Sequence, residues 1–148
     1  MNELPEDLLM VCSIFSNTIF KGFDYSKIKL PKTSAGILFF MKKHSKNVMK
    51  MSELENHSNF VKSTLTVATD TLVYEGYVKR YRSEEDRRVV FIELTEKGNE
   101  KANEILGCMK KYVNEKLGML DNEQFTKLLD ALEKIRDVTN VLKGEETR

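Results

Sequence analysis

With 148 residues and 41% hydrophobic content, the chain is long enough for one proper core and short for two, so a single domain over 1–148 is expected. No apolar run approaches the ~20 residues of a membrane-spanning helix, Glu3, Glu6 and Asp7 stand where a secretory leader is basic, and Cys12 and Cys108 form no CxxC pair; these features lead us to expect a soluble, reduced, cytoplasmic chain with no disulfide framework and no membrane partner. The net charge of +1 does not by itself point to a polyanion, yet its distribution suggests a basic face: eight lysines stand from Lys21 to Lys50 against one acid, Asp24, while the chain beyond Leu120 is rich in Asp and Glu.

Leu4, Leu8, Val11, Cys12, Phe15 and Ile19 recur at three- and four-residue spacing, the stripe of an amphipathic helix ending before Gly22. After a lysine-rich connection containing Pro31, the apolar run from Ile37 to Met41 follows Thr33 and Ser34, either of which can cap a second, largely buried helix. Val48 and Met49 leave room for one strand-like pairing. Ser52, with Glu55 three residues on, has the form of a capping box opening a short third helix. From Phe60 to Tyr74, Leu65, Ala68, Thr69 and Leu72 share one helical face, and Lys62, Ser63, Thr66 and Val67 lie mainly on the others. Gly76 closes this fourth helix.

Beyond Gly76 the period changes. Tyr77 to Arg82 and Val89 to Leu94 are rich in β-branched and aromatic residues and flank the charged segment Ser83 to Arg88, so two strands joined by a charged hairpin are predicted. Thr95 can cap a fifth helix with its stripe at Ala102, Ile105, Leu106, Met109, Tyr112, Val113 and Leu117. Asp121 opens a last helix, with Phe125, Leu128, Leu129, Leu132, Ile135, Val138 and Val141 on its apolar face.

The middle of the chain thus reads as a helix-turn-helix followed by a wing. A helix opening on Lys62, Ser63, Thr64 and Thr66 suits a DNA major groove, because its positive end and free backbone donors favour phosphate. A hairpin tip carrying Arg87 and Arg88 can reach the adjacent minor groove, where the potential is most negative.

The run LVYEGYVKRYRSEEDRRVVFIELTEKG from Leu72 to Gly98 resembles the MarR-type transcriptional regulators, in the unbroken register of recognition-helix end, wing and fifth-helix start. MSEL at Met51 to Leu54 and KSTLT at Lys62 to Thr66 resemble the starts of that family's third and recognition helices. The resemblance implies a mainly α (α+β) fold: a winged helix-turn-helix over 30–96 and a helical dimerisation region built from both chain ends, 1–24 and 97–143. It implies DNA contact by Lys62, Ser63, Thr64 and Thr66, with Asp86 orienting Arg88 at the wing tip and Arg87 as a further wing contact. It also implies a homodimer that binds a palindromic operator in double-stranded DNA, a ligand-responsive repressor with a small-molecule effector of unknown identity. Two positions depart from the pattern: Val67 stands where many relatives carry arginine, shifting base reading toward a thymine methyl, and Val61 replaces a capping serine, for which Asn59 can substitute.

Other chemistries have less support. Cys12 falls on the stripe expected to be buried, which favours a small core residue over a peroxide-sensing thiol, the minor alternative. His44 and His57 stand apart from each other and from the cysteines, so no metal site is expected. No cofactor is expected either. Phe15, Phe20, Phe23, Phe39, Phe40 and Tyr112 fit core packing as well as an effector cleft. With no nucleophile elbow, phosphate-binding glycine loop or HExxH motif, an enzyme is not expected. The competing reading is a winged-helix dimer that binds another protein.

Overall fold

Apolar spacing of three and four residues becomes helix, and spacing of two becomes strand, along the described chain, residues 6–57 and 61–142 of this computed structural model. The order is α1 (Glu6–Phe20), a 3-10 turn (Tyr25–Ile28), α2 (Lys32–Lys43), β1 (Val48–Lys50), α3 (Met51–His57), α4 (Lys62–Tyr74), β2 (Val78–Arg82), β3 (Val90–Leu94), α5 (Glu96–Leu117) and α6 (Asn122–Leu142). By internal contacts the chain divides into two units, one of residues 21–110 and one made of 1–20 with 111–148.

The 21–110 unit holds the core. Ile28, Ile37, Leu38, Met41, Leu54, Leu65, Leu72, Ile92 and Ile105 are fully buried there. Small residues let α2 and α4 approach: Ala35 and Ala68 are buried, and the Ser34 hydroxyl donates to the Ala68 carbonyl at 3.4 Å. The sheet order is β1-β3-β2, all antiparallel, with Met49 opposite Ile92 and Arg80 opposite Ile92 from the other side. Burial of Leu65, Ala68, Thr69 and Leu72 is the α4 face expected from the spacing.

Two predicted caps are corrected. The α2 helix starts at Lys32, with the Pro31 carbonyl accepting from Ala35 N at 3.0 Å, so Thr33 and Ser34 lie inside the first turn and Ser34 turns into the core. The α3 helix starts at Met51, directly after β1, which places Ser52 within the helix and not at its cap. Here the pairing of Lys50 with Phe91 fixes the chain up to the helix start, and the capping-box sequence has no free position to occupy.

The end of α4 is closed and docked at one place. Gly76, at φ +76°, donates to Val73 O at 3.0 Å and Tyr77 N donates to Leu72 O at 2.9 Å, the paired bonds of a left-handed helix end. Thr95 caps α5 by accepting from Gly98 N at 3.0 Å, while its hydroxyl lies 2.7 Å from Gly76 O and its N–H donates to Tyr77 O at 3.1 Å. Lys97 donates to Glu75 O at 2.7 Å and sits 4.6 Å over the Tyr77 ring. The first turn of α5 is therefore pinned to the C-terminal end of α4.

In the second unit, α6 opens on a reciprocal cap: Gln124 N donates to Asp121 at 2.8 Å and Asp121 N donates to Gln124 Oε1 at 3.1 Å. None of the α6 residues is buried, and Leu129, Leu132, Ile135, Val138 and Val141 are all exposed. Met10, Val11, Ile14 and Phe15 of α1 are exposed too. Leu4 and the Cys12 side chain lie outside the described residues, and Cys108 is half-buried in α5. No helix among the described residues is long and apolar enough to cross a membrane.

Candidate nucleic-acid interface

The surface is built on α4 and the β2–β3 hairpin. At the α4 start, Val61 occupies the cap position without a side-chain hydrogen bond, and the first intrahelical bond is Leu65 N to Val61 O at 3.0 Å. The N–H groups of Lys62, Ser63 and Thr64 therefore have no intrahelical acceptor. All three side chains are exposed, and Lys62 Nζ lies 3.5 Å from the Glu55 carboxylate of α3. Asn59, the alternative cap, lies outside the described residues, as does the His57 side chain.

One turn on, the Thr66 hydroxyl donates back to Lys62 O at 3.2 Å, and Val67, the next residue, is 67% exposed. Ser63, Val67, Asp70 and Tyr74 follow at helical spacing on the outer face, Tyr74 being 89% exposed. This is an acid and an aromatic ring that the sequence reading did not single out.

The wing tip is ordered by its own side chains. The Ser83 hydroxyl accepts from Glu85 N and Asp86 N, and Val89 N donates to Asp86 O at 2.9 Å. The Asp86 carboxylate takes a two-point bond from Arg88, Nε at 3.0 Å and Nη2 at 3.1 Å, together with Arg88 N at 3.0 Å. Arg82 Nη1 donates to Arg87 O at 2.8 Å, and the Arg87 side chain projects exposed from the tip. So Arg88 is held, and Arg87 is presented by its backbone.

The Arg88 guanidinium and N–H hold the Asp86 carboxyl below its ordinary value of 3.8. A lowered folded-state value means that the pair's contribution is complete above the ordinary value and is lost only as pH falls through the lowered one. The Asp86 carboxyl carbon, followed by NMR, should therefore titrate with a midpoint under 3.8, and in Arg88→Ala that midpoint should move up toward 3.8. An unchanged midpoint in the variant would mean that the pair does not persist in solution.

Between helix and wing lies a seam. Arg80, on the same side of β2 as buried Val78, donates through Nη1 to Asp70 of α4, and Arg82 follows two residues later on that side. Glu55, Thr66, Arg80, Tyr81 and Arg82 line an open cleft of about 510 Å³ there. The alternation of Val78, Arg80 and Arg82 was readable in the sequence; the partner of Arg80 was not. His44 ends α2 against the Phe40 ring at 4.4 Å, and no cluster of metal-ligating side chains occurs among the described residues.

A buried α2, the pair α3 and α4, and an antiparallel hairpin packed beside α4 define a winged helix-turn-helix protein. The family described as Transcriptional regulator SarA/Rot matches residues 20–105. The chain belongs to this family of regulators, of the MarR winged-helix type. Two curated relatives come from Bacillus subtilis (strain 168). The HTH-type transcriptional repressor YetL is 33% identical over 104 residues, covering 65% of this chain and 58% of YetL. The HTH-type transcriptional repressor MdtR is 30% identical over 88 residues, covering 60% of this chain and 56% of MdtR. Among solved structures, wild-type apo MarR from E. coli superposes with a TM-score of 0.74 at 18% identity, over 90% of this chain and 98% of that one. A mutant E. coli MarR complexed with operator DNA superposes with a TM-score of 0.61 at 19% identity, over 86% and 90%.

Proposed function

We propose that this protein is a homodimeric repressor that binds double-stranded DNA at a two-fold symmetric operator. The observation that carries the reading is the juxtaposition of a polar α4 start, with no side-chain cap among the described residues, and a wing tip whose arginines are oriented from within the hairpin. Lys62, Ser63, Thr64 and Thr66 would meet phosphates and base edges in the major groove, where three backbone N–H groups without an intrahelical acceptor add to their own. Val67, exposed next to Thr66, offers apolar contact to a thymine methyl. Arg88, set by Asp86, and Arg87 would enter the adjacent minor groove. The repressors YetL and MdtR and the operator-bound MarR support this assignment by likeness.

The exposed apolar faces of α1 and α6 support the dimer, with the two chain ends as the dimerisation region, because stripes of this length are stable in water only when another surface covers them. Such a dimer spaces two recognition helices for two half-sites, and an effector that alters the spacing would release the DNA. A cytoplasmic location follows from this role.

The test is a titration with duplex from upstream of the protein's own gene and with a scrambled duplex, over a range of salt. A regulator shows affinity that falls steeply with salt and favours the promoter sequence. Flat, weak binding to both would favour the protein-binding module instead. Arg88→Ala is expected to weaken promoter binding by ~1–3 kcal/mol while the oligomeric state stays that of wild type; normal binding by this variant would remove the wing from the interface.

A further inference from the structure

Helix α4 and the wing tip, on the reading above, occupy neighbouring grooves of one duplex, and neighbouring grooves are separated by a single sugar–phosphate strand. Whatever lies between α4 and the wing faces that strand. What lies there is the inner side of β2, with Arg80 and Arg82 opening onto the cleft of about 510 Å³. We propose that this cleft is a seat for the DNA backbone, with Arg80 and Arg82 as phosphate-contacting residues and Asp70 as the positioning residue that aims Arg80. The inference rests on the DNA-binding reading and adds residues to it.

The geometry favours a phosphodiester over a closed ion pair. Arg80 gives Asp70 only Nη1, and its side chain remains 40% exposed, so the other edge of the guanidinium fork is available. Arg82 likewise uses Nη1 on the Arg87 carbonyl, a neutral acceptor that leaves its full charge uncompensated among the described residues. The other wall carries Thr66, whose hydroxyl proton is given to Lys62 O at 3.2 Å, so the donors that face the cleft are the two guanidinium groups. Glu55 also lines the cleft, and Lys62 offsets its carboxylate from 3.5 Å. Counting Lys62, Arg80 and Arg82 against Glu55 and Asp70, the seam keeps an excess positive charge. The same two arginines brace the reading elements: Arg80 ties the wing to α4 and Arg82 ties the tip to its strand. Binding of the strand and orientation of helix and wing therefore fall to the same residues.

Phosphate contact has a signature that a structural ion pair lacks. Each phosphate neutralised contributes about 0.9 to the slope of log affinity against log salt, roughly eightfold in affinity near ~0.1 M salt. Arg80→Gln and Arg82→Gln are each expected to lower that slope by about 0.9, and together by about 1.8, equally on promoter and scrambled duplex. Arg80→Lys should keep the slope, and Asp70→Asn should not lower it, since the charge that meets phosphate resides on Arg80. Thermal melts run alongside separate folding from binding. If wild type binds with a steep slope and Arg80→Gln and Arg82→Gln retain it, the seat is wrong while the DNA reading stands. If wild type itself shows flat, weak binding, the reading and the seat fall together.

Discussion

Gly98→Ala is expected to lower the thermal midpoint by about 10 °C, from roughly 3 kcal/mol of lost stability. A Cβ at this position would stand 1.9 Å from the Tyr77 carbonyl oxygen and 2.9 Å from its carbonyl carbon, both backbone atoms. Overpacking is cheap when the obstacle is the end of a flexible side chain, and this one is not. The Tyr77 carbonyl accepts from Thr95 N at 3.1 Å, and the Tyr77 N–H closes α4 on Leu72 at 2.9 Å. Relief requires the first turn of α5 to draw back, which would strain the Thr95 bonds and the Lys97 contact with Glu75 O at 2.7 Å. The damage should be specific to the joint between α4 and α5, so on the proposed function DNA affinity is expected to fall even at temperatures where the variant stays folded. Circular dichroism melts with a midpoint within about 2 °C of wild type would show that this joint is loose and the docking described above is not rigid.

Ile135→Asp is expected to dissociate the proposed dimer and reduce promoter affinity by roughly 10²-fold or more, the loss that follows when two half-sites are no longer bound by one particle. Ile135 is 55% exposed, in the middle of an α6 face where Leu129, Leu132 and Val138 are likewise exposed. Covering one such side chain is worth ~1.5–3 kcal/mol, whereas burying an unpaired carboxylate costs at least several. On an exposed face the same substitution would be nearly neutral or would favour solubility. The sign therefore distinguishes a covered surface from a bare one. Light scattering reports the mass, and the DNA titration reports the affinity. A variant that kept both would mean that α6 is not the interface. Leu129→Ala should weaken the dimer in the same direction, by less.

The wing and the α4 face were legible in the sequence because both depend on local period. Leu65, Ala68, Thr69 and Leu72 can share a face only if the chain is helical there, and Val90 to Leu94 pairs with Val78 to Arg82 through the alternation the sequence carries. Gly76 and Thr95 were legible too, since a left-handed helix end and a hydroxyl cap each need a particular residue type. The pairing of Asp86 with Arg88 was expected from the family resemblance and not from local period, and the structure has it at 3.0 Å.

The caps at α2 and α3 were misread for a shared reason. A Ser or Thr before an apolar run marks a helix start only when the preceding chain is free to turn there, and pairing of β1 with β3 decides where α3 begins. Likewise Ser34 caps nothing because the crossing of α2 over α4 claims its hydroxyl. Asp70 and Arg80 are ten residues apart on different elements, and no local pattern predicts their meeting; it follows from the sharp return at Gly76, which lays β2 back along α4. Local period and residue type determined the elements, their buried faces and the charges on the wing. Only the packing of those elements decided which of the charges meet, which hydroxyls cap, and that a cleft lined by Arg80 and Arg82 separates helix from wing, because such contacts depend on distances between elements that spacing along the chain does not contain.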